Sequence, residues 1–232
     1  MANKETKRER RESAKKQRLD AQRRAARRRR LVKVRGLSML VIAIVAITAL
    51  VIWKKNSDAA HERKVNLALN TAATAAGCDQ VKGFGEQGHE HIAAPATFSY
   101  DSNPPTSGSH YNGGDGNGPA NTGVHTAPIQ DEIQTHNLEH GHFGIQYSPG
   151  KLKPDLLAAL VDFTNKNNAW VFLAPRTAPG FSATLAFTHW TQLLNCGEGL
   201  KDDPKLVTSL AQAFYDRFPK STQYEAAPGT PL

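Results

Sequence analysis

No G-x-S-x-G segment occurs anywhere in the 232 residues. Ser107 and Ser109 stand beside His110, but a catalytic triad is recognised by geometry and not by adjacency, so serine catalysis is not read here. No internal repeat is visible. Cysteine is scarce, with Cys78 and Cys196 the only two. They allow one intramolecular bridge, with two unpaired thiols or two metal ligands as the other readings. Charge is missing altogether from Gly36 to Trp53, GLSMLVIAIVAITALVIW. At about 1.5 Å per residue this stretch spans roughly 27 Å, close to the ~30 Å of a bilayer hydrocarbon core. Trp53 stands at its end, where an amphipathic ring suits the interface. The run is longer than a typical signal-peptide core, begins late, and is followed by no A-x-A site, which argues against a cleaved signal. It has no polar face, which argues against a buried core helix. It is read as a transmembrane helix.

Charge is also unevenly spread. The formal net charge is +8, yet residues 1–35 hold 16 of the 29 Lys and Arg and only four of the 21 Asp and Glu. That arm is +12, and the remainder of the chain is −4. The basic cluster RRAARRRRLVKVR precedes the apolar run, while only Lys54 and Lys55 follow it at once. Positive flanks stay in the cytoplasm, so the arm is placed inside and residues 54–232 outside. The arm has no apolar face with which to fold alone. Anionic lipid is its expected partner, at about 1 kcal/mol per basic residue near the surface. Nucleic acid is not expected, because the adjacent span already accounts for the charge. Outside the cell membrane the compartment is oxidising, which favours a Cys78–Cys196 disulfide.

The expected organisation is a basic arm (1–35), a transmembrane helix (36–53), a stalk helix (54–76), an extracytoplasmic domain (77–218) and a flexible tail (219–232). The stalk is Ala-rich and free of Pro and Gly until Gly77. From 77 to 123 the chain is rich in Gly, Pro, Asn and Ser, with ATFSY (96–100) a short strand-like piece and 113–123 the most flexible part. Phe143–Tyr147 alternates as a half-buried strand does. Leu156, Leu157, Leu160, Val161 and Phe163 recur at helical spacing after Pro154. AWVFLAP (169–175) and TLAFTHW (184–190) read as buried strands. Asp203 caps a second helix through Phe218. The fold class is α+β: a small mixed sheet with two flanking helices and long loops over one side.

All nine histidines lie after the apolar run, and seven fall between His89 and His142. Histidine is the commonest metal ligand. His136-Asn137-Leu138-Glu139-His140 spells H-x-x-E-H, in which a helix would put both imidazoles on one face with Glu139 beside them as a general base. On a strand, His136, His140 and His142 would share a face opposite Glu139. The metal reading survives either backbone, whereas a protease needs the helix. His61 is read as solvated, and His125 and His142 as rim residues. In NPPTSGSH (103–110) the prolines extend the chain and a turn at Thr106-Ser107-Gly108 delivers His110.

GHEHI (88–92), PPTSGSH (104–110) after Tyr100, TGVHTAPIQDE (122–132), HNLEHG (136–141) and a strand ending at Tyr147 occur in that order, followed by Trp190 and P-G-x-P. This order resembles a bacterial membrane-anchored family known as domain of unknown function 3105, over about Gly77 to Pro231. The resemblance implies no established activity. It places the family's recurring histidines on His91, His110, His136 and His140, a set suited to zinc or copper. His89 and His142 lie outside that pattern. Thr122-Gly123 stands where members often have Cys-Gly, His125 where they have Tyr, and His189-Trp190-Thr191 where they have Ala-Trp-Gly. No role of that cysteine or tyrosine is carried over, and His125 and His189 are left as additions peculiar to this chain.

Three functions follow. The first is a single-pass membrane protein whose external domain binds a transition metal, with Glu139 orienting an imidazole. The second is a metal-assisted hydrolase with Glu139 as general base. The third is a metal-free envelope interaction domain that meets a protein partner through its glycine-rich loop.

Overall fold

The computed structural model describes residues 2–112 and 118–220, with side chains from residue 12 onward. The chain forms two compact units, Met1–Ala60 and His61–Leu232. Helix α1 (Ala2–Ala76) supplies the first unit and opens the second. In the first unit the large apolar side chains from Leu37 to Trp53 are 50–69 % exposed, so the protein gives them no cover. Among the described residues, α1 is the one helix long and apolar enough to cross a membrane.

In the second unit the chain continues through β1 (Lys82–Gly83), β2 (His91–Ile92), β3 (His110–Tyr111), β4 (Gly123–Val124), α2 (Asp131–Glu139) and β5 (Phe143–Tyr147). It then forms α3 (Pro154–Lys166), β6 (Val171–Pro175), β7 (Leu185–His189), β8 (Gln192–Cys196) and α4 (Pro204–Arg217). Six strands make a mixed sheet in the order β1-β8-β7-β5-β6-β4, and β2 and β3 pair separately. β5, β6 and β4 run parallel, while β5, β7, β8 and β1 are antiparallel neighbours. The fold is α+β.

Alternation along the central strands decides what covers each face. Phe143, Ile145, Val171, Leu173, Leu185, Phe187, Leu194 and Cys196 project into one apolar core. Leu156, Leu160 and Phe163 of α3 and Val207, Leu210 and Phe214 of α4 complete it. Burying each such leucine or phenylalanine contributes about 1.5–3 kcal/mol. Asp203 caps α4 by accepting from the amides of Lys205 and Leu206, with Pro204 in the first turn. The end of α1 also belongs to this core, through Leu69, Ala73 and Ala76. The stretch read as a stalk is therefore in part a core helix. Just beyond it, the Cys78 and Cys196 sulfurs lie 2.03 Å apart, at disulfide distance.

The opposite face is where the sequence reading needs correction. Gly144 and Gln146 of β5 do not meet water; both are buried, because α2 lies over them. Phe172 reaches through this face to Leu138 of α2 and to Trp190. The ring needs the absence of a side chain at Gly144, where an added Cβ would stand 2.6 Å from Phe172 and 2.3 Å from Thr188 Oγ1. Gly144→Ala should lower stability by about 1–3 kcal/mol, as overpacked cores do. An unchanged denaturation midpoint would show that α2 is not seated by this contact.

ATFSY (96–100) is not a strand. Its polar groups go elsewhere: the Phe98 amide donates to Glu132 Oε1, and the Tyr100 hydroxyl donates to the Ser109 carbonyl. The flexible-loop expectation for 113–123 lies partly outside the described residues, as does most of the tail expected at 219–232.

Candidate metal centre

Two segments meet above the polar face of the sheet. The first is the loop that ends in β3. β2 pairs with β3 in parallel, with His91 directly opposite His110. Adjacent strands hold opposed residues on the same side, so the two imidazoles meet with ring centroids 5.0 Å apart, edge to face. The second segment is α2, which places His136 and Glu139 three residues apart on one helical face. The ligating atoms of His91, His110, His136 and Glu139 all lie within 4.8 Å of one another. His110, His136 and Glu139 are buried, while the His91 side chain is 41 % exposed.

Backbone carbonyls set the tautomers of two of these rings. A carbonyl can only accept, so the nitrogen facing it carries the proton. His110 Nδ1 donates to the Gly108 carbonyl at 2.9 Å. His136 Nδ1 donates to the Tyr111 carbonyl at 2.6 Å. In each neutral ring Nε2 is therefore the lone-pair nitrogen. His110 Nε2 is fully buried and 3.1 Å from Glu139 Oε2, without a hydrogen bond of its own. His91 Nε2 is 4.0 Å from the same oxygen.

Electrostatics shift two of these groups in the direction of the uncharged imidazole and the ionised carboxylate. Burial pushes the Glu139 carboxyl up, but its contact with His110 and the influence of His110, His136 and His91 outweigh this and leave it below the usual carboxylate range. Burial, with His110 and His140 nearby, lowers His136 to about 4. At neutral pH the site thus offers an uncharged imidazole from His136 and an ionised carboxylate.

His140 does not join the set. Gly141, at φ +84°, ends the helix, and His140 is its last cap residue. Its ring stacks on His136 at 4.8 Å with only 22° between the planes. Lone pairs lie in the ring plane, so two stacked rings do not aim at one point. Glu139, expected beside the histidines as an orienter or base, has its carboxylate within the same 4.8 Å group. No imidazole lies closer to its Oε2 than His110 among the described pairs.

The remaining histidines are spread around this group. His142 is fully buried, donates from Nδ1 to the Asn137 carbonyl and faces Trp170. His189 donates from Nε2 to the Pro219 carbonyl and stacks on Phe218. His125 bonds the Asn121 carbonyl, and His89 pairs with Glu86 at the surface. His61 is exposed.

Burial lowers both His142 and His189 to about 4, as it does His136. The unfolded chain, with histidines near 6.5, then binds more protons than the folded one between pH 6.5 and 4. Stability should be full above pH 6.5 and fall as pH drops through that window, by on the order of a few kcal/mol for the three rings together. Denaturant midpoints of metal-free protein at pH 7 and pH 5 check this, and equal midpoints would refute it.

The chain belongs to the family described as "Protein of unknown function (DUF3105)", whose model matches residues 91–225, more than half of its length. The matched region begins at His91 and contains all four residues of the cluster. No curated protein and no solved structure matches the chain.

Proposed function

We propose that this chain is a single-pass membrane protein whose extracytoplasmic domain binds one divalent transition-metal ion through His91, His110, His136 and Glu139. The carrying observation is the pair of acceptors at the centre. His110 Nε2 and Glu139 Oε2 face each other at 3.1 Å inside the protein, and His110 Nδ1 is already committed as a donor. An ionised carboxylate and the Nε2 lone pair at that distance need a cation between them, which either a proton on His110 or a metal ion supplies. A metal ion satisfies both, and also the lone pair of His136.

Three imidazoles and a carboxylate suit zinc, and copper(II) after it, better than the monovalent copper that prefers sulfur. Zinc–ligand bonds of about 2.0–2.1 Å put tetrahedral donors roughly 3.3 Å apart, so small side-chain movements would bring this group onto one ion. The basic arm faces the cytoplasm and anionic lipid, as the charge asymmetry about the apolar run supports. A metal-assisted hydrolase is the second reading. The exposed edge of His91 favours it, because solvent and a substrate reach the ligand set from that side.

Titration of the full-length chain in detergent with Zn²⁺, against a competing chelator, tests the first reading. One equivalent bound per chain supports it. No uptake of either Zn²⁺ or Cu²⁺ would transfer the histidines to a structural role and turn attention to an envelope protein partner.

A further inference from the structure

The centre is assembled from two segments that share no sheet ladder. His110 comes from the loop that begins at Asn103 and ends in β3, against which β2 lays His91. His136 and Glu139 come from α2, a helix of nine residues whose N-cap, Gln130, makes no side-chain cap bond. At one end the segments are joined by the His136–Tyr111 hydrogen bond. At the other end they are joined by Arg176.

We propose that Arg176, acting from outside the ligand set, is the positioning residue that holds these two segments in register and so sets the geometry of the metal centre. The inference rests on the metal-binding reading. Arg176 follows β6, and its backbone amide donates to the Tyr147 carbonyl at the end of β5, so its own position is tied to the sheet. Its side chain is buried, 5 % exposed. Nε donates to Asn103 Oδ1 at 2.8 Å, where the His110 loop begins. The two terminal nitrogens grip both oxygens of Asp131, in the first turn of α2, at 2.7 and 3.2 Å. One planar cation thus holds both segments against the sheet at once.

Three physical points make this more than a surface ion pair. Arg176 is buried and Asp131 is 31 % exposed, so the screening that weakens fully exposed pairs is reduced. The guanidinium fork is rigid, so fixing the direction of one set of bonds fixes the other; a lysine ammonium has freely rotating donors and cannot do this. Asp131 also lies roughly 12 Å along the helix from Glu139, at about 1.5 Å per residue, so a small tilt at the fork grows at the ligand end. Groups outside a ligand set that orient it typically change metal affinity about 10–100-fold.

The test uses the full-length chain in detergent with Co²⁺ as the probe, because its visible spectrum reports ligand geometry. The variants are Arg176→Lys, Asn103→Ala, their double, and Leu210→Ala as a stability control. Leu210 is fully buried in the core on the opposite face of the sheet. Arg176→Lys should raise the Co²⁺ Kd by about 10–100-fold and alter the spectrum. Asn103→Ala should do so less, and should add little in the Arg176→Lys background. Leu210→Ala should lower Tm yet leave Kd and spectrum as in the wild type. A wild-type Kd and spectrum in Arg176→Lys would overturn the proposal, as would a Kd change in Leu210→Ala scaling with its Tm loss. Should Arg176→Lys not fold, Asn103→Ala, which removes one arm of the fork, decides by the same readouts. Failure of the wild type to bind Co²⁺ or Zn²⁺ would refute the metal reading itself, a result distinct from metal-competent variants with unchanged Kd.

Discussion

Glu139→Gln should move metal affinity and metal-free stability in opposite directions. The glutamine is nearly isosteric, so packing around α2 is kept. Its amide nitrogen is a donor, however, and stands where a carboxylate oxygen lies 3.1 Å from the lone pair of His110 Nε2. In the metal-free protein with His110 uncharged, two facing acceptors become a donor and an acceptor, and a buried negative charge is removed. Tm without metal should therefore hold or rise. With metal the change is adverse: a neutral amide replaces an anionic ligand, and Zn²⁺ affinity should fall by at least about 10–100-fold, the range for mere outer partners. Calorimetry with and without Zn²⁺ reads both quantities. A plain structural role for Glu139 predicts that metal-free Tm falls, and a base on bound water predicts that affinity is kept while hydrolysis is lost.

The second large effect is on stability alone. The Cys78 and Cys196 sulfurs are at bonding distance across a sequence separation of 118 residues. The bridge links the end of α1 to the last strand, two pieces of one core. Closing so long a loop restricts the unfolded chain, and the expected loss on Cys78→Ser/Cys196→Ser is about 2–5 kcal/mol. For a domain of this size that corresponds to a Tm lowered by roughly 5–15 °C. The same drop should follow reduction of the wild type, and the double variant should be insensitive to reductant. A Tm indifferent to reductant in the wild type would show the bridge absent or without weight.

What the sequence disclosed depended on period and length. α3, α4 and β5 were legible because each repeats its apolar residues at 3.6 or 2, and β6 and β7 because each is a short, nearly continuous apolar run. β8 was not: Gln192-Leu193-Leu194-Asn195-Cys196 breaks strict alternation, and the turn before it is Trp190-Thr191, without a glycine or asparagine. ATFSY looked like a strand because composition cannot reveal that the Phe98 amide is taken by Glu132, 34 residues away. The two-residue strands β2 and β3 carry no period at all, yet their register is what sets His91 opposite His110.

The candidate site was legible as a set of residues and less so as an arrangement. His91, His110 and His136 were named together, and the fold brings them together. In the group of converging atoms Glu139 stands where His140 was expected, and the signal for this was present in Gly141. A glycine there stops the helix at Glu139, leaving the i,i+3 pair on the helical face and His140 on the cap, where it stacks. Arg176 and Asp131 gave no such signal, since an arginine after a strand and an aspartate at a helix start are ordinary in isolation. Only their meeting across the fold identifies them.

The central claim is that His91, His110, His136 and Glu139 hold one metal ion. Its most direct test is the metal content of the full-length chain, purified without a histidine tag from membranes grown in zinc and copper, measured by elemental mass spectrometry beside a His110→Ala/His136→Ala variant. About one equivalent per wild-type chain, lost in the variant, is the predicted result. Equal content in the two proteins, or none in the wild type, would contradict it.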